Sequence, residues 1–167
     1  MSAPISRRIP PQWIINTINP VVRAMARSRL HPMMDGTVLV LHVVGRRTGR
    51  HYDIPVGYLA VDGHLVVVTQ HAWRANLRGG ATVEVTHAGR REPMHAELDE
   101  EVGAVVGTLR DVIGRIGWQE AGRTLGLATD DGRPPTAAEL AQAVRDYRLA
   151  VITLTAPFRR SEDTIPV

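Results

Sequence analysis

A chain of 167 residues, 44% of them apolar, is long enough to bury a sizeable core as one domain, roughly 70% of its unfolded surface. It holds no cysteine, which excludes disulfides, thiolate metal sites and a thiol nucleophile together. Its basic residues are all arginine and unevenly placed: residues 1–50 carry eight Arg against Asp35 alone, although the whole chain nets only +3.

Such asymmetry points to an anionic partner for the N-terminal third: a phosphorylated cofactor, nucleic acid or an anionic membrane surface. Seven aromatic side chains in all, none interleaved with the densest Arg cluster, argue against single-stranded nucleic acid, which needs stacking platforms. No long uncharged apolar run opens the chain, so the expectation is a cytoplasmic protein without secretory signal or membrane span.

In chain order, Pro10-Pro11 precede a helical spacing over residues 13–28, with apolar positions at 14, 15, 18, 21, 22 and 25. Asn19-Pro20 interrupts it, and Arg23, Arg27 and Arg29 gather at its C-terminal end, where cations suit the helix dipole. Two readings stay open for this helix: a cover over the end of a barrel, or an amphipathic segment lying on a membrane surface. Residues 37–44 and 52–60 then read as strands flanking Gly45-Arg46-Arg47-Thr48-Gly49-Arg50. Three guanidinium groups and two glycines on one turn suit phosphate or carboxylate oxygens. A solvated basic hairpin with no ligand is the competing reading.

Asp62-Gly63 supplies a tight turn before a strand at 65–69, and Ala88-Gly89-Arg90 joins strands at 81–87 and 92–98. Between them, residues 71–77 read as a short helix stopped by Gly79-Gly80. Asp99-Glu100-Glu101 opens a longer helix, residues 117–135 are loop-rich, and Thr136 with Glu139 forms a capping box for another helix. Residues 148–155 make a late strand. Six short strands in hairpins with helices before the last one predict an α+β protein built on a small antiparallel barrel. The expected plan is one domain: a helical segment over 1–30, a barrel core over 37–98, a helical insert over 99–147 and a last strand over 148–155.

His31, His42, His51, His64, His87 and His95 lack metal-ligand spacing, and His42, inside an apolar strand, reads as a hydrogen-bonded core residue. No P-loop, dinucleotide fingerprint or Gly-x-Ser-x-Gly elbow is present.

The run Leu39 to Tyr58, with Gly45-Arg-Arg-Thr-Gly49 and Pro55, followed by Asp62-Gly63 and Trp73-Arg-Ala-Asn76-Leu77, resembles the deazaflavin-dependent nitroreductase family, found largely in actinobacteria. Resemblance covers about residues 37–98. It implies a split β-barrel related to flavin reductases, coenzyme F420 as cofactor, and hydride transfer from the reduced coenzyme to a quinone-like or nitroaromatic acceptor. It implies that Arg46, Arg47, Thr48 and Gly49 hold the phosphate while nearby basic side chains meet the carboxylates of the polyglutamate tail, Arg50 standing in for a further basic residue where this chain has Tyr52. It also implies that Pro55, Val56 and Gly57 lie against the ring, while Thr69, Gln70, His71, Trp73, Asn76 and Leu77 line the remaining groove. The family's Ser-x-Gly-Gly stretch before its Trp is absent here, where Thr69-Gln70-His71-Ala72 runs straight into Trp73. FMN, with one phosphate, is the alternative cofactor, and a non-catalytic F420 carrier the alternative role. Tyr58 and His71 are the candidate proton donors, Tyr58 with its hydroxyl at the barrel rim. Peripheral membrane association through residues 1–30 and pairing of two chains are left open, and nucleic acid is not expected.

Overall fold

The computed structural model describes residues 5–7 and 38–156. The expected helix at 13–28 lies outside these residues, as does His31.

Nine strands are present among the described residues: β1 (Ile5–Arg7), β2 (Val38–Val44), β3 (His51–Gly57), β4 (Leu59–Val61), β5 (His64–Thr69), β6 (Ala81–His87), β7 (Arg90–Asp99), β8 (Leu127–Thr129) and β9 (Ala150–Thr155). Seven of them form one antiparallel sheet in the order β3-β2-β6-β7-β9-β5-β4. Its two edge strands, β3 and β4, are separated in sequence by Tyr58 alone, so the sheet curls into a half-barrel. The fold is α+β.

Alternation explains the concave face. Leu39, Leu41 and Val43 of β2 point inward with Val83 and Val85 of β6, Leu65 and Val67 of β5, and Ile152 and Leu154 of β9. Their intervening neighbours Val66 and Val151 point outward into a second core. Strands β5 and β9 are therefore covered on both faces, which is why they read as nearly unbroken apolar runs.

The second core is built by three helices between β7 and β9: α1 (Val102–Ile116), α2 (Trp118–Leu125) and α3 (Ala137–Tyr147). Val105, Leu109 and Val112 of α1 pack with Leu140, Ala143 and Val144 of α3. Glu101 caps α1 by accepting from the N–H groups of Gly103 and Ala104 at 2.9 and 2.7 Å. Thr136 and Glu139 form the expected capping box at the start of α3.

Two expectations are corrected, and one strand pairing has no counterpart among them. The sheet has seven strands instead of six, because the 52–60 run breaks at Tyr58, which turns inward to the concave core. Residues 117–135 are not mainly loop: they hold α2 and β8. Helix α2 survives a glycine because Gly122 lets it approach Leu127, whose carbonyl oxygen would lie 2.8 Å from an added Cβ. Finally, β1 pairs with β8 across more than 120 residues, and the Tyr147 hydroxyl donates to the Ile5 carbonyl at 3.2 Å.

Both two-residue hairpins follow their turn chemistry. Asp62 and Gly63 have φ of 51° and 77°, and Ala88 and Gly89 have 48° and 72°, the left-handed pairs that match strand twist.

Candidate functional site

The basic turn is closed by its own backbone. Gly49 N–H donates to the Gly45 carbonyl and Gly45 N–H to the Arg50 carbonyl, both at 2.8 Å. Gly49 sits at φ +66°, and the Gly45 backbone packs so closely under the turn that an added Cβ would lie 3.0 Å from Thr48 Oγ1 and 3.2 Å from the Tyr52 ring. The tight loop leaves Arg46, Arg47, Thr48, Gly49 and Arg50 all exposed. Among the described residues, no carboxylate pairs with Arg46, Arg47 or Arg50.

A second segment fixes where the turn sits. The 3₁₀ helix Ala72–Leu77 follows β5, and its Asn76 side chain accepts from the Arg46 backbone N–H at 3.0 Å while donating to the Trp73 carbonyl at 2.9 Å. The Arg46 guanidinium also donates to the Arg78 carbonyl. Trp73 itself anchors the helix against the concave core.

Strands β2 and β6 pair only from Val40, Leu41 and His42 to Thr86, Val85 and Glu84, whereas β2 pairs with β3 along all seven residues. Beyond His42 the two strands diverge, and a cleft of about 570 Å³ opens between them. Val43, Val44, Gly45 and Arg46 form one wall, Ala81, Thr82 and Val83 the other, and Asn76 and Leu77 overhang it. That volume falls in the range of small-molecule sites.

His42 and Glu84 stand at the apex of the cleft. His42 Nδ1 lies 2.7 Å from Asp53 Oδ1, and its Nε2 lies 2.7 Å from Thr86 Oγ1, so one imidazole ties β3, β2 and β6 together. A carboxylate only accepts, which places a proton on Nδ1.

The expected site residues separate into groups. Arg46, Gly49, Asn76 and Leu77 meet in the cleft, with Arg47, Thr48 and Arg50 beside it on the turn. Pro55, Val56 and Gly57 lie on the edge strand β3, where Pro55 stands opposite Val40, and they do not line this cleft. Pro55 is four residues from His51, a span of roughly 13 Å at about 3.3 Å per residue. Thr69 is buried, and its hydroxyl accepts from the His71 backbone N–H at 3.1 Å. Thr69 ends β5 and Gln70 follows it, and neither they nor His71 and Trp73 line the cleft. His71 occupies the N-cap position of the 3₁₀ helix without a capping bond from its side chain.

Tyr58 is not at a rim. It is 6% exposed, and its hydroxyl lies 2.8 Å from His87 Nε2, the two rings meeting edge to face at 4.9 Å.

Sequence reading overlooked three further charged residues. Glu100 takes Arg74 Nε at 3.0 Å, Arg78 Nε at 2.7 Å and Arg78 Nη2 at 3.1 Å. These bonds, Arg78 first and Arg74 second, hold the Glu100 carboxyl down at about 2 and push the Arg78 guanidinium up. Arg74 lies in the 3₁₀ helix and Arg78 just past its end, and with three residues per turn their four-residue spacing does not align them, so the shared carboxylate brings them together.

The half-barrel thus sets a cationic turn, without a carboxylate partner among the described residues, beside a cleft of small-molecule size in an α+β protein. The chain belongs to the F420H2-dependent quinone reductase family, whose model matches residues 13–112. It is an F420H2-dependent oxidoreductase with coenzyme F420 as its cofactor, and the FMN and carrier alternatives give way to that assignment. No curated protein sequence matches the chain significantly. It is similar to a solved domain-swapped dimer at 14% identity and TM-score 0.43, covering 87% of this chain and 99% of that one. It is also similar to the F420-H2 dependent reductase FDR-A at 16% identity and TM-score 0.41, covering 72% and 95%. Among the described residues, no helix is long and apolar enough to cross a membrane.

Proposed function

We propose that residues 45–50 grip the phosphate of coenzyme F420 and that the protein reduces an apolar quinone-like or nitroaromatic acceptor. The observation carrying this reading is the set of three exposed guanidinium groups, without carboxylate partners among the described residues, on a turn pinned beside a cleft by Asn76. Forked N–H donors suit tetrahedral phosphate oxygens, and a turn held from two sides loses little freedom on binding. The donor set therefore fits the coenzyme's anionic end.

Bound reduced deazaflavin supplies the hydride, so the protein's own work is positioning and electrostatics. Arg46, Arg47 and Arg50 hold the charged end, with the Thr48 hydroxyl accepting from Arg50 N–H at 3.3 Å to shape the loop. Pro55, Val56 and Gly57 offer the ring a stiff wall, since Pro55 has a fixed φ and no N–H to reorganise. The architecture reads as a split β-barrel in which β3 and β4 are halves of one bent strand.

Titrating the protein with oxidised F420 and following coenzyme fluorescence tests the binding claim. Following oxidation of the reduced coenzyme with menadione or a nitroaromatic tests the acceptor class. The reading predicts saturable quenching and turnover with at least one of the two acceptors. Quenching without turnover of either would refute the acceptor assignment.

A further inference from the structure

We infer that Thr86, His42 and Asp53 form a proton relay that completes reduction of a quinone-like acceptor. Thr86 is the catalytic residue, its hydroxyl touching the acceptor, while His42 and Asp53 hold and position the proton. This rests on the acceptor class proposed above and on Pro55 as part of the ring wall. Leu39, Leu41 and Val43 face the concave core, so Val40 and His42 face outward from it. On that outer face His42 stands between Asp53 and Glu84 in one row, and Val40 between Pro55 and Thr86 in the next. Thr86 therefore shares a row with the ring wall two strands away, about 10 Å at the usual strand spacing.

Two heavy-atom contacts of 2.7 Å define the relay. Asp53 accepts from His42 Nδ1–H, which leaves Nε2 to accept from the Thr86 hydroxyl. Glu84, the other carboxylate opposite His42, lies 3.7 Å from Arg91 Nε instead. Carboxylate, imidazole and hydroxyl in that order let the carboxylate orient and stabilise an imidazolium. Once His42 carries a second proton, Nε2–H donates to Thr86 Oγ1 across the same contact, and the hydroxyl hydrogen turns outward. As a cross-link the network adds little between β2 and β3, which already pair along all seven residues. His42 is 16% exposed and Asp53 30%, so water can restore the proton after each cycle.

Hydride delivery to a quinone leaves a quinol anion, one proton short of the product. The anion takes the Thr86 hydroxyl proton, Thr86 Oγ1 takes the Nε2 proton of His42, and neutral His42 recovers a proton from water. One O–H bond forms on the acceptor while one N–H bond breaks on the imidazole, and no further oxidant or reductant is needed. The relay matters most for a strongly basic quinol anion, because a weakly basic one gains less from a positioned acid.

Menadione and a dichlorinated naphthoquinone share one ring system, and the chlorines make the quinol anion less basic. Turnover of each with reduced F420 is measured for wild type, Thr86→Val, Thr86→Ser and His42→Gln, alongside Tm and the Kd for oxidised F420. Thr86→Val and His42→Gln should lose about a hundredfold in kcat with menadione, the lower range of general acid catalysis, and far less with the chlorinated quinone. Thr86→Ser, which keeps the hydroxyl, should retain most of the menadione rate. Nitrogen-15 NMR of the histidine side chains gives a reading without turnover. Methylnaphthol, a quinol mimic, should shift the His42 Nε2 signal in wild type and not in Thr86→Val. Equal losses with the two quinones, full menadione turnover in folded Thr86→Val, or an unmoved Nε2 signal in wild type would each overturn the relay alone. Wild type that reduces neither quinone would overturn the acceptor reading and the relay with it.

Discussion

The backbone N–H of Arg46 donates to the side-chain oxygen of Asn76 at 3.0 Å, locking the basic turn to a helix thirty residues further along the chain. Asn76 spends its other end on the Trp73 carbonyl, and Trp73 packs on the concave core. The cationic loop is thus referenced to the rigid sheet through three residues, and its affinity depends on that linkage as well as on its charges.

Asn76→Ala should therefore weaken F420 binding without touching a charge. It removes two neutral hydrogen bonds of about 0.5–1.5 kcal/mol each. Fluorescence titration should show a several-fold loss of affinity, and differential scanning should show a modest fall in Tm. Asn76→Asp, which keeps the acceptor, should retain the Arg46 bond and recover part of the stability.

Gly49→Ala isolates the backbone conformation of the turn. Nothing lies within 4 Å of an added Cβ, so no clash contributes, but φ +66° is left-handed. The strain costs about 1–2 kcal/mol. Wild-type-like stability with lost binding would mean that the turn has rearranged instead of bearing the strain.

Tyr58→Phe distinguishes structure from chemistry. It deletes a hydroxyl that is paired with His87 and leaves that ring nitrogen short of a partner, at a cost of about 1–3 kcal/mol. The account predicts a lower Tm with turnover retained. Loss of turnover at unchanged Tm and unchanged F420 affinity would instead make Tyr58 the proton donor.

Acid should expose the ion pairs. Glu100 and Glu139 are both held at about 2, Glu100 by Arg78 and Arg74, Glu139 first by Arg133 and then by the Thr136 N–H. Because their folded values lie below the usual 4.5, each contributes stability that is full above pH 4.5 and fades as pH falls toward 2. Tm measured from pH 6 to pH 2.5 should decline, and Glu139→Gln should flatten the decline. An equal slope in that variant would remove Glu139 from the acid response.

The hairpins were legible because Asp62-Gly63 and Ala88-Gly89 encode left-handed turns locally, and the Thr136–Glu139 box announced α3 in four residues. Helix α2 was not, since Gly117 and Gly122 punctuate it like a loop; Gly117 sits at φ +86°, and only the approach to Leu127 explains Gly122. Strand β1 carries no local signal: three residues gain meaning only from β8. At the site, the basic turn was read from composition, and Asn76 from family resemblance. The Asp53–His42–Thr86 tie and the Glu100 cluster join separate elements, so sequence spacing alone could not assemble them.

The central claim is that the turn at residues 45–50 holds the phosphate of F420. The most direct measurement is a fluorescence titration of Arg46→Ala/Arg47→Ala with the coenzyme, alongside a Tm to confirm folding. Charge-assisted contacts of about 1.5–3 kcal/mol each predict at least a tenfold weaker Kd at unchanged Tm. An unaltered Kd in the folded double variant would contradict it.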